Sequence, residues 1–344
     1  MKFLTILFSL IFSVSLSAQN DIFELLAEIN KKQEVPTGIQ KVAETTYSIF
    51  TLDEEAKPTK TIEYEGTEVN LYGGNTTEII YESTDKYSEI TYNEAGEKSV
   101  TSIYELDDQS RITSWITDYG ESPAAAMMNT KKEYFYNEEG KVVSIFNQGA
   151  EVLLIKYNEK GNFNEFLVDM GFAKMKIAAS PQKKMIRYDM AIDVGTLPEG
   201  LPEMMLEGIK DSPKAYIEQT SEKESNSYVG YEENKETGEF EKRWETVRSM
   251  DFRLLSKKEF SPDGEVTTHQ KFQYTETGKL KSTKDLIAAT ELINEYDEKG
   301  NITVEQEPFG EKRYFYDEKG GLIKTISLSE GSVTGVSMRE IVYK

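Results

Sequence analysis

A short phrase recurs along the chain: an aromatic residue, two or three polar residues, glycine, one further residue and then an aliphatic residue. The copies run at 92–96, 106–110 (a degenerate copy), 136–140, 157–161, 260–264, 274–278, 296–300 and 316–320. Recurrence at this density is typical of proteins that repeat one small supersecondary unit. The sequence therefore predicts a repeat architecture rather than a conventional enzyme domain.

The polar part of the phrase has the chemistry of a tight turn. Asn, Asp or Ser at the first turn position hydrogen-bonds the backbone two residues on, and glycine at the fourth position adopts the positive φ of a type I turn with a following G1 bulge. Pro262 occupies the second position of one copy, where its fixed φ fits a type I turn. The predicted turn glycines are Gly96, Gly140, Gly161, Gly264, Gly278, Gly300 and Gly320.

The segments that flank these turns alternate between apolar and polar residues. Examples are 272–274 before a turn and 280–282 after it. This period of two is typical of strands with one buried face. We therefore predict an all-β fold, an open, curved sheet of antiparallel hairpins with one short N-terminal helix. The 20 Tyr and 16 Phe are assigned mainly to cross-strand packing.

The first residues have the pattern of an export signal. Lys2 precedes an apolar run at 3–16, and Leu16-Ser17-Ala18 resembles a cleavage site, so 1–18 is predicted to be a signal peptide. The protein is expected in the periplasm or outside the cell, with no integral membrane anchor. Residues 19–40 are assigned to a helix and a linker. A capping box at 21–24 begins the helix, predicted over 21–32, and its apolar face is expected to cover the edge of the first strand.

The composition restricts the partners of the chain. It has 61 acidic and 40 basic residues, a net charge of −21, and no cysteine. Such a charge repels nucleic acid and anionic lipid, and the lack of cysteine excludes disulfides. No cofactor is predicted. Turn carboxylates such as Glu138 and Asp317 are an alternative Ca²⁺ site, but each turn supplies only one or two of the roughly six to eight oxygens that Ca²⁺ takes.

The repeats fall into two blocks, predicted at 41–170 and 227–344. The first block begins without the phrase, and Tyr72-Gly73-Gly74-Asn75 is its predicted first turn. Between the blocks, 171–226 lacks the phrase and contains four prolines, so we assign it to an irregular insertion. A short helix is predicted at 202–208, where Met204, Met205 and Leu206 either pack on the sheet or line a binding mouth. A second Met-bearing excursion lies at 122–129.

Two copies of the phrase resemble a known repeat. Tyr-Asp-Glu-Lys-Gly-Asn-Ile at 296–302 and Tyr-Asp-Glu-Lys-Gly-Gly-Leu at 316–322 are similar to the YD repeats of Rhs-type proteins, and 106–112 is a further relative. The resemblance covers about half of the chain and implies a repetitive antiparallel sheet wound into a shell or spiral. Arginine commonly follows the repeat glycine in that family, whereas here only Arg111 stands at that position. Together with irregular spacing and no evident toxin-like module, this favours a small open sheet over a closed shell.

Few residues have the pattern of a catalytic site. His269 is the chain's one histidine and lies in a predicted strand, where a surface or cross-strand position is expected. Trp115 and Trp244 also lie in predicted strands, where they either pack or stack on a sugar. Carboxylate pairs for glycoside hydrolysis are abundant, but no spacing selects one of them. The sequence assigns no catalytic, cofactor-binding or metal-binding residue.

Two functions remain open at this point. The first is a non-catalytic exported repeat protein whose sheet is a scaffold or binding surface for a protein or polysaccharide at the cell envelope. The alternative is a carboxylate-dependent polysaccharide hydrolase with its site near the 171–226 insertion. Alanine substitutions of single Asp or Glu residues discriminate between them, because only the hydrolase loses turnover while staying folded.

Overall fold

The computed structural model describes residues 23, 26, 29–33, 35–51, 55–122, 128–169, 171, 173–182, 184–194 and 214–344. The chain divides into two compact units. The first contains 1–32, 130–272 and 285–289, and the second contains 33–129, 273–284 and 290–344. Within the described residues, every element with defined bounds is a β-strand.

The strands are numbered in chain order. Those mainly in the first unit are β7 (Thr130–Tyr136), β8 (Val142–Asn147), β9 (Ala150–Tyr157), β10 (Phe163–Asp169), β11 (Ala173–Pro181), β12 (Ile186–Val194), β13 (Ala215–Ser221), β14 (Ser225–Glu233), β15 (Phe240–Ser249), β16 (Leu254–Phe260) and β17 (Val266–Tyr274). Those mainly in the second unit are β1 (Ile39–Ser48), β2 (Lys60–Tyr64), β3 (Thr67–Tyr81), β4 (Lys86–Tyr92), β5 (Lys98–Leu106), β6 (Ile112–Asp118), β18 (Leu280–Asp285), β19 (Thr290–Tyr296), β20 (Ile302–Glu307), β21 (Gly310–Tyr316), β22 (Leu322–Ser329) and β23 (Ser332–Tyr343).

The predicted open, curved sheet is wrong, and the described residues contain no N-terminal helix with defined bounds. All 23 strands belong to one sheet. Within the second unit, β1 pairs with β3 on one side and with the last strand, β23, on the other, so the sheet is closed rather than open. Val42 lies opposite both Ile79 and Ile341 in these two pairings. No turn signal records a pairing between the two ends of a chain, so the sequence pattern alone favoured an open sheet.

The five-residue turns have the geometry of a type I turn with a G1 bulge. At the β7–β8 hairpin, the Gly140 N–H donates to the Asn137 carbonyl at 2.9 Å, and the Asn137 N–H donates to the Lys141 carbonyl at 2.9 Å. The β7–β8 register shifts by one residue at Tyr136, as a bulge requires. All seven predicted turn glycines have φ between 72° and 83°. The degenerate copy has the same geometry, but Ser110 adopts φ 61° there.

Ser110 and Gly264 form a matched pair for testing this turn geometry. We expect Ser110→Gly to raise the free energy of unfolding by about 0.5 kcal/mol, because glycine removes a left-handed penalty of about 1–2 kcal/mol at the cost of more chain entropy. Gly264→Ser is expected to lower the free energy of unfolding by a similar amount. A Cβ on Gly264 has no atom within 4 Å, so backbone strain alone acts. Urea unfolding of both variants measures the two shifts, and two shifts of the same sign would contradict the shared geometry.

A second class of turn connects other hairpins and was missed in the sequence. Gln148-Gly149 joins β8 to β9 with φ values of 51° and 81°. Glu65-Gly66 and Glu330-Gly331 have the same paired positive φ values, which are typical of a type I′ turn. Asn-Gly is the usual signal for this turn, whereas Gln-Gly and Glu-Gly are weak signals.

The turn predicted at Tyr72-Gly73-Gly74-Asn75 is wrong. These four residues lie inside β3, and the first turn of this region is Glu65-Gly66. Gly73 and Gly74 have φ of 61° and 139°, and the β1–β3 register shifts at this point. The glycines therefore form an irregularity within a long strand, which is the other common role of glycine in a strand pattern.

The stretch 171–226 continues the sheet in its described residues. Strands β11 to β14 pair in antiparallel order with no register shift between them, so the predicted irregular insertion is wrong for these residues. Ala173, Met175 and Ile177 alternate with two lysines and are each 1% exposed, a period of two that the prolines nearby obscured. The predicted helix at 202–208 lies outside the described residues, as does most of the excursion at 122–129.

The core of the first unit contains the N-terminal segment. Phe23, Leu26 and Ile29 are the described residues with helical backbone in the predicted helix 21–32, and residues 31–32 are not helical. Phe23 contacts the rings of Phe163, Tyr188 and Tyr228 at centroid distances of 5.9, 5.3 and 4.1 Å. The expectation that this segment covers the edge of the first strand is wrong, because β1 has a partner strand on each side.

Candidate functional site

The tyrosine of the repeated phrase joins one repeat to the next. The Tyr296 hydroxyl donates to the Leu280 carbonyl at 2.7 Å, and the Tyr316 hydroxyl donates to the Ile302 carbonyl at 2.8 Å. In the first unit, the Tyr157 hydroxyl makes the same bond to Val142 at 3.1 Å. In each case the acceptor is the aliphatic residue that ends the preceding phrase. These aromatic residues therefore hold the sheet together and are not a ligand cage.

The lysine after the turn glycine makes a second bond between the same repeats. Lys141 Nζ donates to the Gly161 carbonyl at 2.6 Å and lies 5.3 Å from the centre of the Tyr157 ring. Lys279 Nζ donates to the Gly300 carbonyl and lies 5.5 Å from the centre of the Tyr296 ring. An ammonium over an aromatic ring adds a cation–π attraction. The position after the turn glycine is thus a contact between repeats.

The turn carboxylates accept hydrogen bonds from side chains close to them. Asp107 accepts hydrogen bonds from Arg111, which hold the pKa of this carboxyl below its usual range although burial opposes the shift. Hydrogen bonds from Asn301 lower the pKa of Asp297, and the Tyr343 hydroxyl does the same for Asp317. Among the described residues, no three His, Cys, Asp or Glu side chains are placed to hold a metal ion. The structure therefore gives no support to the alternative Ca²⁺ site.

Carboxylates on the strands form ion pairs with neighbouring lysines and arginines. Glu165 lies between Lys156 and Lys176, at 2.7 and 2.8 Å, and these hydrogen bonds lower its pKa. In the 171–226 stretch, Asp189 pairs with Arg187 at 2.7 Å. Every Asp or Glu with a shifted pKa in the described chain is shifted downward. A glycosidase acid needs a raised pKa instead, so none of these shifted groups has the character of that acid.

The three residues singled out as catalytic or sugar-binding candidates lie on three different strands. His269 is in β17 opposite Lys258, and its carbonyl accepts the Leu286 N–H at 2.8 Å. Trp244 is 2% exposed in the core of the first unit, over Gly230. Trp115 ends a row of stacked rings in the second unit. His269 and Trp244 therefore belong to the first unit and Trp115 to the second, and each has a structural setting of its own.

The row that ends at Trp115 crosses four strands. Tyr81, Tyr87, Tyr104 and Trp115 follow one another on β3 to β6 with centroid distances of 6.0, 4.6 and 5.5 Å. The last two pairs are stacked, with interplanar angles of 13° and 21°. Sugar binding uses the free face of a ring, whereas within the two stacked pairs the ring faces are directed at one another. Burial raises the pKa of Tyr87 and Tyr104, consistent with a packed row.

Lys132, on strand β7 of the first unit, is a buried cation. Lys132 is 9% exposed and lies opposite Asn147 in the β7–β8 pair. Burial lowers the pKa of Lys132 from 10.5 to about 8, since desolvation disfavours the charged ammonium. The shift predicts a measurable dependence of stability on pH.

We expect the free energy of unfolding of the parent protein to rise relative to that of Lys132→Met as the pH rises from about 8 to 10.5. In that interval the folded state loses the Lys132 proton while the unfolded chain keeps it, so the parent protein gains stability with rising pH. Below about pH 8 both states hold the proton, so the difference between the two proteins no longer depends on this group. Urea unfolding of both proteins across this interval measures the effect, and a difference independent of pH would refute it.

A groove of about 510 Å³ lies between two neighbouring hairpin ends of the second unit. One wall is the connection 307–310 between β20 and β21, and the other is the connection 329–331 between β22 and β23. A Cβ on Gly310 would overlap with the Leu328 carbonyl, so only glycine permits this close approach. Ser329 Oγ donates to the Phe309 carbonyl at 3.2 Å. The two hairpin ends are therefore fixed relative to each other.

The groove presents an aromatic ring beside carboxylates. Phe309 is 85% exposed, the largest exposed fraction among the large apolar side chains of the described residues. Glu307 and Glu330 are exposed on the two walls, and Glu311 is half-buried at the side. An aromatic ring next to negative charge favours ligands that combine an apolar part with a positive charge. The Pro308-Phe309 connection lacks the repeated phrase, so no sequence pattern indicated this site.

Arg313 connects the groove to the β2–β3 hairpin. Its guanidinium pairs with Glu311 at 2.5 Å and with Glu65, at the tip of that hairpin, also at 2.5 Å. The Arg313 guanidinium carbon lies 5.8 Å from the centre of the Tyr64 ring. The hydrogen bond with Glu65 raises the pKa of Arg313. A groove carboxylate thus already binds one guanidinium of the protein.

Comparisons with known proteins return weak likenesses. No protein-family model matches the chain, and no curated protein matches it. Among solved structures, a crystal structure of TcdB2-TccC3-TEV is 11% identical, with a TM-score of 0.23, over 80% of this chain and 18% of that chain. The Photorhabdus luminescens Tc holotoxin pore with TccC3-D651A is 10% identical, with a TM-score of 0.22, over 80% of this chain and 19% of that chain.

A porin-like protein from Bacteroides uniformis ATCC 8492 is 9% identical, with a TM-score of 0.20, over 90% of this chain and 99% of that chain. The present chain spans about a fifth of the length of the toxin chains. These TM-scores are too low to support an argument about function. In the described part of the chain, no helix is long and apolar enough to cross a membrane.

Proposed function

We propose that the chain is an exported, YD-repeat-like protein of the cell envelope that binds a protein or polysaccharide partner at the groove between the 307–310 and 329–331 connections. The observation that carries the proposal is the groove itself, in which an exposed Phe309 lies on one of two adjoining hairpin ends. Binding residues are often carried on connections that a fixed scaffold positions. The signal-like pattern of 1–18, outside the described residues, supports export.

The contacts between repeats support the scaffold part of the proposal. Tyrosine hydroxyls and lysine ammonium groups join successive hairpins in both units. Contacts of this kind keep the turns of the sheet in fixed positions relative to their neighbours, as a recognition surface requires. The shifted carboxylates are ion-paired or hydrogen-bonded and have lowered pKa values, so no observation favours the hydrolase alternative.

Affinity capture followed by titration tests the proposal. The purified protein and its Phe309→Ala variant are immobilised and exposed to envelope proteins and polysaccharides, and each captured molecule is purified and titrated. We expect saturable binding of at least one ligand to the parent protein. If no fraction contains a saturable ligand, the binding function is wrong. Hydrolysis of a captured polysaccharide that one carboxylate substitution abolishes would instead support the hydrolase alternative.

A further inference from the structure

The groove carries a specific indication of its partner's chemistry. Three glutamates, Glu307, Glu311 and Glu330, line it, and Lys312 contacts Glu307 only at 3.9 Å. The whole chain has a net charge of −21, so anionic ligands are repelled at long range and cationic ligands are attracted. The negative charge of the groove therefore favours a positively charged partner.

The exposed ring adds a second requirement. Phe309 offers an open aromatic surface, and a lysine or arginine side chain covers such a surface with its aliphatic stem while its charge lies over or beside the ring. The second unit already uses this pairing, because Lys324 Nζ lies 4.3 Å from the centre of the Phe315 ring. A metal ion or a small inorganic cation has no apolar stem with which to cover the Phe309 ring.

Resting on the proposed function, we infer that the groove binds a basic peptide segment, with a lysine or arginine stem on Phe309 and its charge at Glu307 or Glu330. Arg313 provides the internal model for such a contact, since its guanidinium pairs with Glu311 and Glu65 on one side of the groove. The groove volume of about 510 Å³ is of the size that holds a few side chains rather than a folded domain.

Synthetic peptides test the inference on the full protein. The probe is a hexapeptide of alternating lysine and glycine, and its glutamate-for-lysine counterpart is the negative control. Binding is followed by titration, with the backbone amides of Gly310 and Gly331 as NMR reporters. We expect the lysine peptide alone to bind, and Phe309→Ala and Glu307→Gln/Glu330→Gln each to weaken it about ten-fold.

A charge-matched variant distinguishes the groove from general electrostatics. Glu138→Gln/Glu298→Gln removes the same charge at two exposed turn positions outside the groove, and we expect it to change the affinity less than about two-fold. Equal weakening by both double variants, or saturable binding of a neutral oligosaccharide at Gly310 and Gly331, would overturn the inference. An envelope partner that binds normally to Phe309→Ala would overturn the inference and leave a binding function elsewhere on the chain.

Discussion

Gly230→Ala is expected to lower the free energy of unfolding by about 3 kcal/mol. Gly230 lies in β14 directly beneath the indole of Trp244 in β15, and a Cβ at this position would overlap with the ring. Trp244 is 2% exposed, so the ring is enclosed by other residues and is unable to turn out into solvent. Overpacking of a close-packed core costs roughly 1–3 kcal/mol, and displacing a large buried ring places this site at the upper end.

Urea unfolding of Gly230→Ala measures this loss, with Gly335→Ala as the matched control. A Cβ on Gly335 meets Ser327 Cβ at 3.8 Å, an ordinary contact, so the control is expected to change stability by less than about 0.5 kcal/mol. We further expect Gly230→Ala/Trp244→Phe to be more stable than the sum of its single changes, because the smaller ring relieves the overlap. An unchanged unfolding midpoint for Gly230→Ala would show that Trp244 does not pack on this glycine.

Phe23→Ala is the second change with a large expected effect, a loss of about 3–5 kcal/mol. Phe23 is 5% exposed and contacts three aromatic rings from β10, β12 and β14. Truncation leaves a cavity among these rings, which are held by their own strands and are unable to close it. The burial also explains why residues outside the sheet are part of the core of the first unit.

The control for Phe23→Ala is Phe50→Ala, because Phe50 is 69% exposed and its truncation is expected to change stability by less than about 0.5 kcal/mol. Urea unfolding followed by tyrosine and tryptophan fluorescence compares the two variants. Leu26→Ala, which removes a second buried side chain of the same segment, is expected to cost about 2–5 kcal/mol. If Phe23→Ala and Phe50→Ala had equal unfolding midpoints, the N-terminal segment would not be part of the core.

Some features of the fold can be predicted from the sequence because they depend only on residues adjacent in the chain. A type I turn with a G1 bulge requires a residue with positive φ at one position, and only glycine takes it without strain, so Gly140 and Gly300 reveal their turns. The prediction of a turn at Tyr72–Asn75 was wrong for the same physical reason. Glycine marks any position of unusual φ, and an irregularity inside β3 requires it as much as a turn does.

The candidate site was less accessible to sequence reasoning than the turns. The groove joins residues 307–311 to 328–331, and what makes it a groove is the close approach of Gly310 to the Leu328 carbonyl. That approach depends on the packing of two hairpin ends and has no local signature. Exposure of Phe309 is likewise a tertiary property, because a strand pattern assigns an isolated phenylalanine to the core.

The sequence by itself determined the all-β character, the hairpins and most of their turns, because these follow from alternation and from local backbone preferences over five to ten residues. Tertiary structure decided that the sheet is closed, through the pairing of β1 with both β3 and β23. It also decided that Phe23 lies in a core and that two hairpin ends form a groove. These outcomes depend on contacts between residues distant in the chain, which no local pattern specifies.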